Sequence, residues 1–205
     1  MRALLVHGMG RTPVSMMTLA SSLRRAAIEP SQFGYSAAFE SVARIVGRLR
    51  ERLAREADGE YVVIGHSLGG LLLRAAIADL APEVPRPRRV VMIGTPNQSP
   101  RLARHFLGAF WFRAINGDAG RMLASPERMA AIPTPEVPFT IIAGTSGPRG
   151  SWSPFGNEAN DGLVAVAETR MGGDEEFIEL PVLHPFMPYD RRVSRLVMER
   201  CATSS

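Results

Sequence analysis

At 205 residues the chain is long enough for one domain with a real core, and its 45% hydrophobic and 21% charged residues are ordinary for a globular protein. The net charge of +4 rests on 24 basic residues, all Arg, scattered among acids apart from Arg86-Pro87-Arg88-Arg89 and Arg191-Arg192; this is not the clustered footprint of a nucleic-acid binder. A single Cys201 excludes an intrachain disulfide and a thiolate metal cluster, and no run of about 18 apolar residues offers a membrane span.

In chain order, Ala3-Leu4-Leu5-Val6 is a continuous apolar run of strand length, ending at once in His7-Gly8-Met9-Gly10. The run is too brief for the h-region of a signal peptide and lacks a small-residue cleavage site, so the expected compartment is the cytoplasm. Phe33-Gly34-Tyr35 is a weaker strand candidate. Residues 42–57 place Val42, Ile45, Val46, Leu49 and Leu53 on one helical face, with Arg and Glu opposite. Tyr61–Ile64, Val90–Ile93 and Phe139–Ala143 are further strand-length apolar runs, and Leu68–Leu80 reads as a helix. Glu176–Leu180 is a weaker strand. Arg191–Cys201 reads as a final helix with Asp190 as its N-cap. This alternation predicts right-handed crossovers and an open, mostly parallel sheet of about six strands with helices on both faces.

Two stretches break the rhythm. Residues 97–137 show no convincing strand but carry a cluster of aromatics, including Phe106, Phe110 and Trp111. Residues 144–160 form a long Gly/Ser/Pro-rich loop containing Trp152 and Phe155. Loops of this length in a compact domain are usually functional. Leaving the carboxyl ends of strands, they would border the ligand-binding edge of an α/β sheet.

The strongest chemical signal is Gly65-His66-Ser67-Leu68-Gly69-Gly70, directly after one expected strand and directly before one expected helix. In that context G-x-S-x-G is a nucleophile elbow: the flanking small residues let strand and helix approach while the Ser hydroxyl projects clear of the sheet. Acyl transfer also needs two N–H donors aimed at the oxyanion. Leu68, the residue after the nucleophile, supplies one. Gly8 and Gly10 let their loop approach the substrate and make Met9 the natural second donor. The competing reading, a nucleotide-binding loop, lacks the full G-x-G-x-x-G and the Lys of a P-loop.

Taken in order, "LLVHGMG", "VVIGHSLGGLLLR", "VVMIGTPNQS" and "NDGLV…LPVLHPFM" resemble the α/β-hydrolase superfamily, and more narrowly its small lipase and PGAP1-like esterase branch. The resemblance spans nearly the whole chain. It implies a minimal α/β-hydrolase fold as a single domain over residues 1–205, with residues 97–137 as a small cap or lid-like insertion. The chain departs from larger members in starting at the strand of the Gly-rich loop. Its modest insertion between Gly94 and Phe139 also argues against a large lipase-type lid.

The resemblance further implies a Ser…Asp…His order. Of the four His, His66 sits inside the elbow and cannot fold back on Ser67, His7 precedes the Gly-rich loop, and His105 lies in the insertion. His184 follows the last strand, where the base is expected. Among the acids, Glu158 and Asp161 lie on the loop after the Phe139–Ala143 strand; Asp161, followed by Gly-Leu-Val, matches the family's acid motif. Glu158 and Asp118 remain the alternatives. The expected activity is serine-dependent hydrolysis of a small-molecule ester or lipid-like substrate with an apolar acyl group. No metal or cofactor is required. Thioesterase, amidase and acyltransferase chemistry share the machinery, and a non-catalytic binding module is the rival outside enzymes. Phe106, Phe110, Trp111, Trp152 and Phe155 are candidate pocket residues. Clustered aromatics at helical spacing are most often core, with a substrate wall or a face making transient contact with a membrane surface as the alternatives.

Overall fold

The computed structural model describes residues 1–106, 110–173 and 175–202, with side chains throughout that range except those of residues 106–116. Six strands form one sheet: β1 (Arg2–Val6), β2 (Glu29–Phe33), β3 (Tyr61–His66), β4 (Val90–Ile93), β5 (Phe139–Gly144) and β6 (Glu176–Leu180). They lie in the order β2-β1-β3-β4-β5-β6, and every neighbouring pair is parallel. Chain direction across the sheet reverses between β1 and β3, because β1 leads outward to β2 and β3 leads the other way to β4. The crevice at the carboxyl ends of such a pair is where open α/β sheets bind ligands.

The apolar runs have their expected cause. Leu4, Val6, Tyr61 and Val63 face one layer, and Ala3, Leu5, Val62 and Ile64 face the other. Both faces must therefore be apolar, which hides the period-2 alternation of a half-exposed strand. The first layer is built from α2 (Val42–Glu56) and α3 (Leu68–Ala78), with Ile45, Leu49, Leu53 and Leu71 fully buried. The second is built from α1 (Met17–Arg25) and α8 (Arg191–Ala202), through Leu19, Leu23, Val193 and Val197. Asp190 receives the Arg192 and Val193 amides at the start of α8, as a cap does.

One expectation needs correction. The second strand is Glu29–Phe33, not Phe33–Tyr35. Its sequence, EPSQF, is polar and contains Pro because it lies at the sheet edge, where one side needs no ladder and little apolar surface is covered. Tyr35 instead reaches back to β1, its hydroxyl donating to the His7 carbonyl at 2.9 Å. The stretch 97–137 contains no strand among its described residues but three helices, α4 (Arg101–Phe106), α5 (Phe110–Leu123) and α6 (Pro126–Ala130). A kink at Gly117, with φ of 52°, divides α5; a β-carbon there would stand 2.7 Å from the Ala37 carbonyl oxygen. The last short helix is α7 (Val166–Thr169). No helix among the described residues is long and apolar enough to cross a membrane.

Candidate functional site

Ser67 is the one residue between β3 and α3, and its backbone adopts φ 54° and ψ −125°. That conformation is strained for a residue with a β-carbon and costs on the order of 1–3 kcal/mol, which the surrounding packing must offset. The neighbours show how. A β-carbon on Gly65 would stand 2.4 Å from the Gly70 nitrogen, and one on Gly69 would stand 2.3 Å from the Val6 carbonyl oxygen. Only hydrogen at these positions lets strand, helix and β1 close around the turn. The Ser67 amide then donates to the Ile93 carbonyl at 2.8 Å, tying the turn to the end of β4.

His184 and Asp161 arrive from the other side. His184 opens the 3-10 turn His184–Tyr189 after β6, and Asp161 lies on the long loop after β5. The two are joined twice: His184 Nδ1 lies 2.6 Å from Asp161 Oδ2, and the His184 amide donates to the Asp161 carbonyl at 2.9 Å. Both side chains are buried, at 1% exposure for Asp161 and 5% for His184. The second carboxylate oxygen, Oδ1, accepts from the amides of Leu163 at 3.0 Å and Val164 at 2.8 Å. With both carboxylate oxygens accepting, Nδ1 is the nitrogen of His184 that carries a proton toward Asp161. The lone pair is left on Nε2, an arrangement able to accept a proton.

The loop geometry that makes this possible is the Asn-Asp-Gly turn itself. Asn160 Oδ1 accepts from the Gly162 amide at 2.9 Å, and Gly162 takes φ 98°. The remaining acid candidates are elsewhere. Glu158 pairs with Arg101 at 2.5 Å, and Asp118 accepts from the Val42 amide at 2.9 Å and pairs with Arg128 at 3.0 Å. Asp118 thus closes the start of α2, and its carboxyl is held below the usual range, chiefly by the Arg128 hydrogen bond.

Ser67 and His184 flank the same point of β4. Gly94, the residue after Ile93, abuts His184, since a β-carbon there would stand 3.1 Å from Nδ1. No hydrogen bond joins Ser67 Oγ to His184 Nε2 among the described residues.

Two further histidines have jobs that composition could not reveal. The His66 ring lies beside that of His184, centroids 4.9 Å apart, and its Nε2 is 3.1 Å from the His184 carbonyl oxygen. A carbonyl only accepts, so His66 carries its proton on Nε2; Nδ1 is a buried lone pair without a protein partner. Burial, and then the nearby His184, push its titration well below the ordinary imidazole range. His7 holds the Gly-rich loop: its Nδ1 lies 2.9 Å from the Gly8 carbonyl oxygen, which also accepts from the Arg11 amide at 3.3 Å. The ring stacks on Tyr35 at 4.3 Å, and burial lowers its pKa. In a trans peptide the carbonyl and the following N–H point opposite ways. Fixing the Gly8 oxygen on His7 and Arg11 therefore aims the Met9 N–H away from them. Gly8 itself packs against Ser67, a β-carbon there standing 3.1 Å from Ser67 Cβ. Leu68 is the first residue of α3, where an amide has no partner within its own helix.

The candidate pocket residues fare differently. Trp152 is 74% exposed on its loop, whereas Phe155 is enclosed by that loop with the Arg101 guanidinium 5.5 Å from its ring centroid. Phe155 is thus a packing residue rather than an open wall. The side chains of Phe106, Phe110 and Trp111 lie outside the described residues.

Comparison with known proteins agrees with this architecture. The model of the alpha/beta hydrolase family matches residues 3–200. Among solved structures, the chain is similar to the mature lipase BlEst2 of Bacillus licheniformis (TM-score 0.74, 17% identity, covering 99% of this chain and 92% of that one). It is also similar to an extracellular α/β-hydrolase from a Paenibacillus species (TM-score 0.66, 14% identity, 100% of both chains). A third likeness is to the Vlm2 thioesterase domain (TM-score 0.64, 15% identity, 100% and 94%). No curated protein matches the sequence.

Proposed function

Because the chain belongs to the α/β-hydrolase family, we propose that it is a serine-dependent hydrolase of carboxylic esters with an apolar acyl group, acting through Ser67, His184 and Asp161. The observation that carries this reading is a strained Ser67 turn and a buried His184–Asp161 couple meeting at the same end of β4. In the reaction, His184 Nε2 takes the Ser67 proton as Oγ attacks the carbonyl carbon. The resulting oxyanion is met by the Met9 and Leu68 amides. The protonated His184, stabilised by Asp161, then gives its proton to the departing alcohol. Water, activated by the same imidazole, attacks the acyl-enzyme and restores Ser67. His66 is a positioning residue that anchors the carbonyl of His184. The single domain and the small cap over residues 97–137 belong to this reading, as does the cytoplasm as its place of work.

A thioesterase or amidase would use the same groups, so the test is a substrate panel. Purified protein is assayed on p-nitrophenyl esters of increasing chain length alongside a thioester and an anilide, with Ser67→Ala in parallel. Fastest turnover is expected on an ester longer than acetate, with loss of turnover in Ser67→Ala. Preferred cleavage of the thioester would move the protein to the thioesterases. Ester turnover that survives in Ser67→Ala would remove the proposal altogether.

A further inference from the structure

The exposed apolar side chains of this protein are gathered at one end. Because every strand is parallel, segments that come after strands emerge at the carboxyl edge and segments that come after helices emerge at the opposite edge. Val14 and Met17 come after β1, Phe39 after β2, and Trp152 after β5. On the turns that carry Asp161 and His184, Leu163, Leu183, Phe186 and Tyr189 are also open to solvent. Among the described residues, Met1 is the sole exposed large apolar residue outside this set. Phe39 is 91% exposed, Val14 65% and Phe186 59%, values that no packing requirement explains. The turn Pro13–Met16 packs against the turn His184–Tyr189, and Leu183 lies against Gly162.

Charge at this edge has one sign. The solvent-accessible acids on the post-strand segments are already paired with guanidiniums, Glu40 with Arg48, Glu158 with Arg101 and Asp190 with Arg192, and Asp161 is buried. Arg11, Arg149 and Arg191, all exposed on or next to the same segments, have no carboxylate within 4.0 Å among the described residues. Apolar side chains protruding among uncompensated guanidiniums are what an anionic lipid interface binds: the rings enter the headgroup boundary and the cations meet phosphates.

We propose that the carboxyl edge of the sheet is a docking surface for an anionic lipid aggregate, which brings the Ser67 crevice against the lipid plane. Binding itself does not depend on the chemistry of Ser67. The full-length Ser67→Ala protein is therefore floated with phosphatidylcholine vesicles, with or without phosphatidylglycerol, so that lipid is not consumed. Binding to the anionic vesicles is expected, weakening as salt is raised. Phe39→Ser with Trp152→Ser in that background is expected to weaken binding at least about tenfold. Arg11→Gln and Arg149→Gln are each expected to weaken it roughly fivefold, and on anionic vesicles alone. In the Ser67-containing protein Phe39→Ser alone leaves hydrolysis of a soluble acetate ester unchanged. Absence of flotation with either vesicle overturns the proposal, as does binding equal in all variants. Dimers in sedimentation that the Phe39/Trp152 pair dissolves would assign the surface to a second copy of the chain and overturn it too. Failure of acetate hydrolysis counts against the triad reading and leaves the vesicle result standing.

Discussion

Replacing Asp161 by Asn changes one atom's chemistry and almost no volume, and the hydrogen bonds around the carboxylate determine the consequence. Oδ1 accepts two buried amides, from Leu163 and Val164, while Oδ2 faces His184 Nδ1 at 2.6 Å. An Asn must keep its oxygen on the amides, because turning it would set its NH2 against two N–H groups and lose two bonds of about 1 kcal/mol each. Its NH2 then faces His184, and Nδ1 can only accept. The imidazole proton moves to Nε2, the nitrogen that must receive the Ser67 proton. The expected result is a fall in kcat of about four powers of ten, equivalent to roughly 5 kcal/mol of transition-state stabilisation, with KM little changed and the fold intact. Steady-state kinetics on the best ester of the panel, with circular dichroism and urea unfolding as controls, measure it. A folded Asp161→Asn protein that keeps kcat within about tenfold of wild type would refute the tautomer argument.

The positioning role of His66 gives a sharper pattern than simple loss. Leu or Phe at this position removes the donor to the His184 carbonyl and is expected to lower kcat about tenfold or more at unchanged KM, whereas His66→Gln, which can still donate, should recover much of the rate; equal activity in all three contradicts it. Stability should also fall with acid. His66 and His7 both titrate below the ordinary imidazole range, so between pH 7 and 5.5 the unfolded chain takes up protons that the folded chain refuses. Their contribution is present above the unfolded value and falls away below it, and urea midpoints at the two pH values test this. A midpoint that does not move, or that rises in acid, would show that these rings accept protons in the folded state.

What the sequence could show divides along physical lines. The buried strands were legible because a parallel sheet covered on both faces demands unbroken apolar runs, and Ser67 because its elbow demands glycine at fixed offsets. The edge strand Glu29–Phe33 was not, since a strand that covers little carries no apolar pattern. The helix Met17–Arg25 was obscured for a related reason: it buries only Leu19, Ala20, Ser22 and Leu23 along a mostly polar run. His7 and His66 could be set aside as bases from position alone, but the carbonyl oxygens they hold, like the Tyr35 amide that donates to His7 Nε2, are backbone groups. One oxygen belongs to an adjacent peptide and the other lies 118 residues away. Backbone partners leave no residue-type signature, so such roles emerge only in three dimensions. The gathering of exposed apolar residues at one edge is likewise a property of strand direction, invisible in a linear chain.

The central claim is that Ser67 is a nucleophile, and covalent labelling tests it most directly. A fluorophosphonate probe is incubated with the native protein and the labelled peptide is sequenced by mass spectrometry. A single adduct on Ser67 is predicted, slowed in Asp161→Asn and absent in Ser67→Ala. An unlabelled native protein, or equal labelling of Ser67→Ala, would contradict it.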